Sequence, residues 1–396
     1  MNDILFLSPA DWFGPRGRFQ HLAERFADCN RVAYFDGLGV RPIGLRDWRR
    51  VMSKLRHSAT GRPAERKPLP ANLAHISPLA IPMQGSALTS LVNQRLLRRA
   101  LRGAQTAQAM GEPILWVSYP HPEIVNVLRH YPGRPVIYDC VDNWSEFKGA
   151  FHNLAQAEAD LLQRADVVFS TAELLQDRLS RRHSRTFLVP NGVDVEGYQR
   201  ALAGPLSLPA DAAAIAGPRI GFIGNVAHWV NLELVLRILP RRPDWQFIFV
   251  GPWQRPEKPP QAPNFHWLGA RDYEQIPHYI AAFDVCLIPF EDNELTRAVD
   301  PLKLYEYLAV GKPVVSTPLP RVLPFGHVIE IASQPQAFED AIARALADGT
   351  PQRNAERQRS ISAHSWTARV AHIDAILRAE LGINLMDDRP PPSSLS

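Results

Sequence analysis

Short apolar runs of four to seven residues, each closed by a loop and followed by a helix-length segment, recur along the whole chain. The first is 4–8 (Ile-Leu-Phe-Leu-Ser), followed by a loop at 9–18, a helix predicted over 19–26 and a second strand at 31–35. Later runs fall at 113–119, 135–138, 165–171 and 186–189. Beyond a gap come 219–224, 245–251, 265–269, 284–289, 314–317 and 328–331. Strands joined through helices run parallel, and a parallel sheet covered on both faces needs strands that are apolar throughout rather than alternating. The pattern predicts an α/β chain built on parallel sheets. The loop at 9–18 is not a GxGxxG fingerprint, so a nicotinamide dinucleotide site is not expected.

At 396 residues and 45% apolar composition, the chain has room for two cores. An alanine- and proline-rich stretch at 201–218 reads as the linker. It separates an amino-terminal domain (1–200) from a second domain (219–364). A final amphipathic helix is read at 365–386 and a disordered tail at 387–396, rich in proline and serine. Formal charge is only +4, too little to argue for nucleic acid. Three dispersed cysteines (Cys29, Cys140, Cys286) without CxxC spacing suit a reducing compartment and argue against a disulfide framework or a zinc site. No leader-like or bilayer-length apolar run is visible, so the expectation is a cytoplasmic protein.

Charge is uneven, however. Between 41 and 67, nine basic residues (Arg41 to Lys67) face only Asp47 and Glu65, with Trp48, Val51, Met52 and Leu55 at helical spacing among them. Such a helix either lies on an anionic membrane surface or packs its apolar stripe on its own domain. Residues 94–102 form a second basic helical segment.

The most informative stretch is 300–318, D-P-L-K-L-Y-E-Y-L-A-V-G-K-P-V-V-S-T-P. Asp300 is read as N-cap, Pro301 as the first helical residue and Gly311 as the residue closing the helix before a β-branched strand. A helix starting at the carboxyl edge of a parallel sheet offers free N–H groups and a positive dipole end to a phosphate. Lys303 and Glu306, three apart, share a face above that end. An ammonium there meets a phosphate and a carboxylate accepts paired sugar hydroxyls; the same pair also fits an ordinary solvated helix face.

Lys303-x-x-Glu306-Tyr307-x-Ala309-x-Gly311-Lys312-Pro313-Val314-Val315 resembles the nucleotide-sugar motif of retaining glycosyltransferases of the GT-B fold, family 4 or "glycosyltransferases group 1" type. Ala165-Asp166 through Val189-Pro190-Asn191-Gly192-Val193-Asp194 resembles the close of that family's first domain. Tyr138-Asp139-Cys140-Val141-Asp142 resembles a sub-branch that includes teichuronic-acid-type transferases. The resemblance implies two Rossmann-like domains with parallel sheets facing across a cleft and a last helix crossing back to the first domain. It implies transfer of a hexose-type sugar from a nucleotide-diphosphate sugar to a glycan or lipid-linked acceptor, with retention, no cofactor and no metal. Glu306 would hold the donor ribose, and Lys303 with Pro301 and Leu302 the phosphates. The loops bearing Gly224, Asn225, His228 and Gly251 would border the donor, and Leu268 and Gly269 its base. Gly14, Gly17 and Arg18 would complete the donor side. His121 and Asp142, in carboxyl-end loops of the first domain, are the catalytic candidates, and Asn191 and Asp194 are read as structural.

Two departures stand out. The loop 225–231 lacks the family's arginine and lysine, leaving His228, Lys303 or Arg297 to neutralise the diphosphate. Ala298 replaces a glutamate expected eight positions before Glu306, with Glu291, Asp292 and Asp300 nearby. They keep two alternatives open: a catalytically silent binding subunit of the same fold, and an epimerase or phosphorylase.

Overall fold

The computed structural model describes residues 1–38, 68–79, 87–147, 153–204 and 207–386. The basic stretch at 41–67 and the tail at 387–396 lie outside the described residues. Two compact units emerge: Met1–Val189 with Val370–Ser396, and Pro190–Arg369. By packing, the chain therefore enters the second unit at Pro190, ahead of the 201–218 stretch, because Val193, Tyr198 and Ala212 are buried in the second unit's core.

The first unit holds a seven-stranded sheet: β1 (Asp3–Leu7), β2 (Arg31–Phe35), β3 (Leu73–Ile76), β4 (Ile114–Val117), β5 (Val136–Cys140), β6 (Val167–Ser170) and β7 (Thr186–Leu188). Their order is β3-β2-β1-β4-β5-β6-β7, and every recorded pairing is parallel. Strands β1, β4, β5 and β6 are buried along their whole length, which is why apolar residues dominate their sequences. Their inner faces interlock through aromatic rings. Trp116 stacks on Phe6 (5.8 Å) and Phe169 (5.7 Å) and meets Phe26 edge-on at 4.9 Å. Truncating a ring so enclosed costs about 3–5 kcal/mol. The closing helix, Trp366–Leu381, delivers Val370, Ile373 and Leu377 to buried positions, and Asn30 Nδ2 holds the Leu385 carbonyl at 2.7 Å.

The second unit holds β8 (Arg219–Ile223), β9 (Gln246–Val250), β10 (Phe265–Gly269), β11 (Val285–Ile288), β12 (Val314–Ser316) and β13 (Glu330–Ile331), ordered β10-β9-β8-β11-β12-β13, again with parallel pairings. Both sheets thus run outward in two directions from a central pair, β1/β4 in one and β8/β11 in the other. In such sheets the loops beyond the carboxyl ends of that pair diverge and leave a crevice for ligands. The α/β expectation, with parallel doubly wound sheets, is met in each unit.

One local expectation fails instructively. The helix runs Leu302–Ala309 with Pro301, not Asp300, at its N-cap. Asp300 instead turns its buried carboxylate to the Asn191 N–H (2.6 Å) and the Tyr305 hydroxyl (2.8 Å), with Arg321 at 3.5 Å. Partners 109 and 21 residues away outcompete a local cap, and spacing alone does not reveal them. The helix ends as expected: Gly311 adopts φ +80°, and the N–H groups of Lys312 and Gly311 close back on the carbonyls of Tyr307 (3.0 Å) and Leu308 (2.9 Å).

Candidate active site

In the second unit the central strands β8 and β11 are followed by Gly224 and Pro289, and the loops beyond are pinned together by a bridge between Val230 and Phe290. Gly224 takes φ +135°, and a side chain there would lie 3.2 Å from the Lys303 ammonium. Gly251, after β9, takes φ +142°, and a Cβ would strike the Gly224 carbonyl at 2.1 Å. Both positions therefore need glycine for conformation and for space. The result is a bare backbone floor below Lys303.

Lys303 rises over that floor between two ring faces, 4.8 Å from Phe290 and 5.3 Å from Phe222. Desolvation pushes its ammonium down to about 8, and the neighbouring Glu306 carboxylate works against that fall. Glu306 is itself raised by desolvation, with Lys303 and the Tyr198 hydroxyl opposing. A cation partly stripped of water, held by ring quadrupoles and one carboxylate, is poised for an anionic ligand. The first turn adds to this. Leu304 N–H is taken by the Pro301 carbonyl at 3.0 Å, and the preceding N–H groups of Leu302 and Lys303 face the helix's amino end.

Around this centre the other residues singled out in the sequence are distributed as follows. Asn225 and His228 lie on the loop beyond Gly224, with the His228 ring 5.0 Å from Trp229. The basic group that meets this loop comes from elsewhere: Arg255 donates to the carbonyls of Ala227 (3.2 Å) and Val230 (3.0 Å). Arg297 is tied to Asp292 at 2.6 Å, and Asp300 is enclosed as described. Glu291, raised by desolvation with Arg255 opposing, has no ion pair among the described residues. Leu268 is half-buried, and Gly269 closes β10 with φ +75°, its carbonyl accepting Gly251 N–H at 2.8 Å. Beside it, Trp267 is 42% exposed, donates from Nε1 to the Gly251 carbonyl (2.9 Å) and faces Trp253 at 6.0 Å. Asn191 is bound to Asp300, and Asp194 caps the next helix by accepting Gly197 N–H at 3.2 Å.

In the first unit the corresponding loops follow β1, β4 and β5. Gly14 N–H bonds the Asp11 carbonyl at 3.0 Å and Gly17 N–H the Gln20 side chain at 3.0 Å, shaping the turn into helix Arg18–Ala27. Arg18 is not presented to solvent: it is 3% exposed, gripping the Asp139 carboxylate (2.7–3.1 Å) and the Val189 carbonyl (3.0 Å). His121, 1% exposed, caps helix Pro122–Leu128 and meets Glu123 at 2.7 Å. Tyr119 joins it, with its ring 4.9 Å from Trp144. Asp142 hangs from the adjacent loop. Desolvation alone pushes its carboxyl up to about 7, and it makes no ion pair among the described residues. A carboxyl tuned near neutrality by burial in a carboxyl-end loop is a recurrent mark of chemistry.

Sequence reasoning missed Tyr198, Phe222, Phe290 and Arg255. Phe222 reads as strand core, Phe290 opens the loop after the strand at 284–289, Arg255 sits in a proline-rich loop, and Tyr198 lies 108 positions from Glu306. No local pattern signals any of them.

Residues 217–348 match the family described as Glycosyl transferases group 1. TuaH of Bacillus subtilis (strain 168), a protein carried under the name of a teichuronic acid biosynthesis glycosyltransferase, is 28% identical over 284 residues, 65% of this chain and 69% of that one. This is a glycosyltransferase with a group 1 domain. Its fold is GT-B. Sucrose-phosphate synthase from Thermosynechococcus elongatus superposes with a TM-score of 0.65 at 16% identity, covering 96% of this glycosyltransferase and all of that chain. Anabaena HepE, solved with UDP and glucose, gives 0.65 at 17% identity over 96% and 100% of the two chains. Its complex with UDP-glucose gives 0.64 at 15% over the same shares. Among the described residues no helix of the glycosyltransferase is long and apolar enough to cross a membrane.

Proposed function

We propose that this glycosyltransferase takes a hexose-type sugar from a nucleoside-diphosphate sugar and delivers it, with retention and without a metal, to a glycan or lipid-linked acceptor of a cell-surface polysaccharide. The observation that carries the donor assignment is the Lys303 ammonium, held between Phe222 and Phe290 above glycine backbone with Glu306 three residues on. Departure of the nucleoside diphosphate develops negative charge on its terminal phosphate. The ammonium and the first-turn N–H groups of Leu302 and Lys303 stabilise that charge without having to reorganise. Glu306, one turn along the helix from Lys303, accepts the ribose hydroxyls. Trp253 and Trp267 offer a base a stacking face beside Leu268 and Gly269. HepE, of the same fold, is solved with UDP-glucose, which supports this class of donor. TuaH's name supports the acceptor class.

On the first unit's side Asp142, ionised above about pH 7, holds the transferred sugar and offsets the positive charge that grows at its anomeric carbon. His121, buttressed by Glu123, lines the same loop cluster. Work at the inner face of the cell membrane, aided by the basic stretch 41–67, belongs to this reading.

The test is incubation with a panel of nucleoside-diphosphate sugars without acceptor, followed by detection of free nucleoside diphosphate. Slow hydrolysis that disappears in Glu306→Ala supports transfer chemistry, and epimer formation supports the rival isomerase. The loop 225–231, without an arginine or lysine of its own, favours one second reading, a silent binding subunit. Donor binding with no turnover on any sugar would select it.

A further inference from the structure

The first unit carries a basic concavity that the proposed reaction does not use. It has a volume of about 280 Å³ and opens at the amino ends of β4 and β5, between helix Ala87–Ala107 and the turn before β5. The carboxyl-end loops with His121 and Asp142 lie at the other edge of the same sheet, one strand length or about 15 Å away. Its polar lining is Arg98, Arg102, Arg134, His130, Gln105 and Tyr131, and no carboxylate lines it. Glu112, which Arg134 meets at 2.6 Å, is itself 78% exposed and stands outside the lining.

These side chains are arranged rather than merely solvated. Tyr131 donates its hydroxyl to Gln105 Oε1 at 3.0 Å, which turns the Gln105 amide N–H groups away from that bond. Arg164 fixes the turn by donating to the carbonyls of Tyr131 (3.0 Å) and Arg134 (2.7 Å). Arg98 has its Nε shut off from water with no acceptor among the described residues. Desolvation, then the guanidiniums of Arg98, Arg102 and Arg129, hold the His130 imidazole below its ordinary value. Like charges crowded round one hollow repel, and an oxyanion relieves that repulsion through charge-assisted hydrogen bonds in forked geometry.

We propose that this concavity binds a phosphate-class oxyanion. The same helix face names one source. Leu88, Leu91, Arg95, Arg98 and Arg102 follow one another at spacings of three and four and so form a single stripe. Leu88 is 71% exposed and Leu91 46%. A lipid headgroup phosphate in the hollow would set those leucines against acyl chains, whereas a free phosphate or diphosphate fills the hollow alone.

Inorganic pyrophosphate titrated calorimetrically into the full chain tests this. Two binding events are expected in the wild type, one here and one at Lys303. K303M should remove the second event and R98Q/R102Q the first, weakening it at least about tenfold. R98K/R102K, which keeps the charge, should recover most of the loss, and melting curves check that each variant folds. Flotation with vesicles of phosphatidylcholine, with and without phosphatidylglycerol, separates the sources. Capture by the anionic vesicles alone, lost in R98Q/R102Q and in L88S/L91S, assigns a headgroup; pyrophosphate binding without capture assigns a soluble anion. Pyrophosphate binding and vesicle capture both unchanged in a folded R98Q/R102Q overturn the proposal, and do so whatever K303M shows.

Discussion

At the scale of single residues, the chemistry rests on side chains whose charge is made conditional by desolvation. Lys303 binds a diphosphate only while protonated, and its ammonium is pushed down to about 8. Affinity for nucleoside diphosphate should therefore hold below pH 8 and fall above it, towards a limiting tenfold per pH unit, measured by calorimetry across pH 6–10. Insensitivity over that range would detach Lys303 from the ligand. For stability the sign is opposite. The unfolded lysine keeps its proton up to its ordinary value, so the penalty of the desolvated ammonium is present below pH 8 and relieved as pH rises beyond it. Asp142 gives a second handle. Its carboxyl is raised to about 7, so the folded chain binds an extra proton between the ordinary carboxylate range and pH 7, and its ionised form costs stability above that. Asp142→Asn should raise the melting temperature most at pH 8, by less at pH 5, and not at all below the ordinary carboxylate range. If Asp142 acts on the sugar, the same change should cut kcat about a hundredfold or more and remove an inflection near pH 7 from the rate profile. Raised stability with full activity would make the residue merely a strained carboxylate.

At the scale of elements, much was legible and the rest was hidden for identifiable reasons. Strands buried on both faces announce themselves as runs dominated by apolar residues, and the helix around Lys303 announces its end through Gly311. Its beginning was misread because Asp300 answers to Asn191, Tyr305 and Arg321, contacts that only the folded chain creates. The same holds for Arg18. The family resemblance set it on the donor side, while the structure buries it on Asp139. Breaking one partner of a buried pair leaves an uncompensated charge, so Arg18→Ala should destabilise the first unit by about 3–5 kcal/mol, read by denaturant unfolding. A loss under about 1 kcal/mol would mean that the pair is solvated. Gly311→Ala forces a side chain into φ +80° with the Asn354 carbonyl 3.0 Å away, and should cost about 1–2 kcal/mol.

At the scale of the whole molecule, one chain makes two parallel sheets with the same winding, so each offers a crevice at its own central strand pair. Motifs of contiguous residues gave the GT-B family resemblance. The cradle itself, assembled from Phe222, Phe290, Tyr198 and the Lys303 helix, draws on four separate segments and has no sequence signature. The most direct test is to screen UDP, GDP, ADP, CDP and TDP by calorimetry and compare the tightest binder in wild type, Lys303→Met and Glu306→Ala. Both variants should stay folded and bind about tenfold to a hundredfold more weakly, Lys303→Met losing the fall of affinity above pH 8 as well. Unchanged affinity in both would contradict a nucleoside diphosphate seated at the start of this helix.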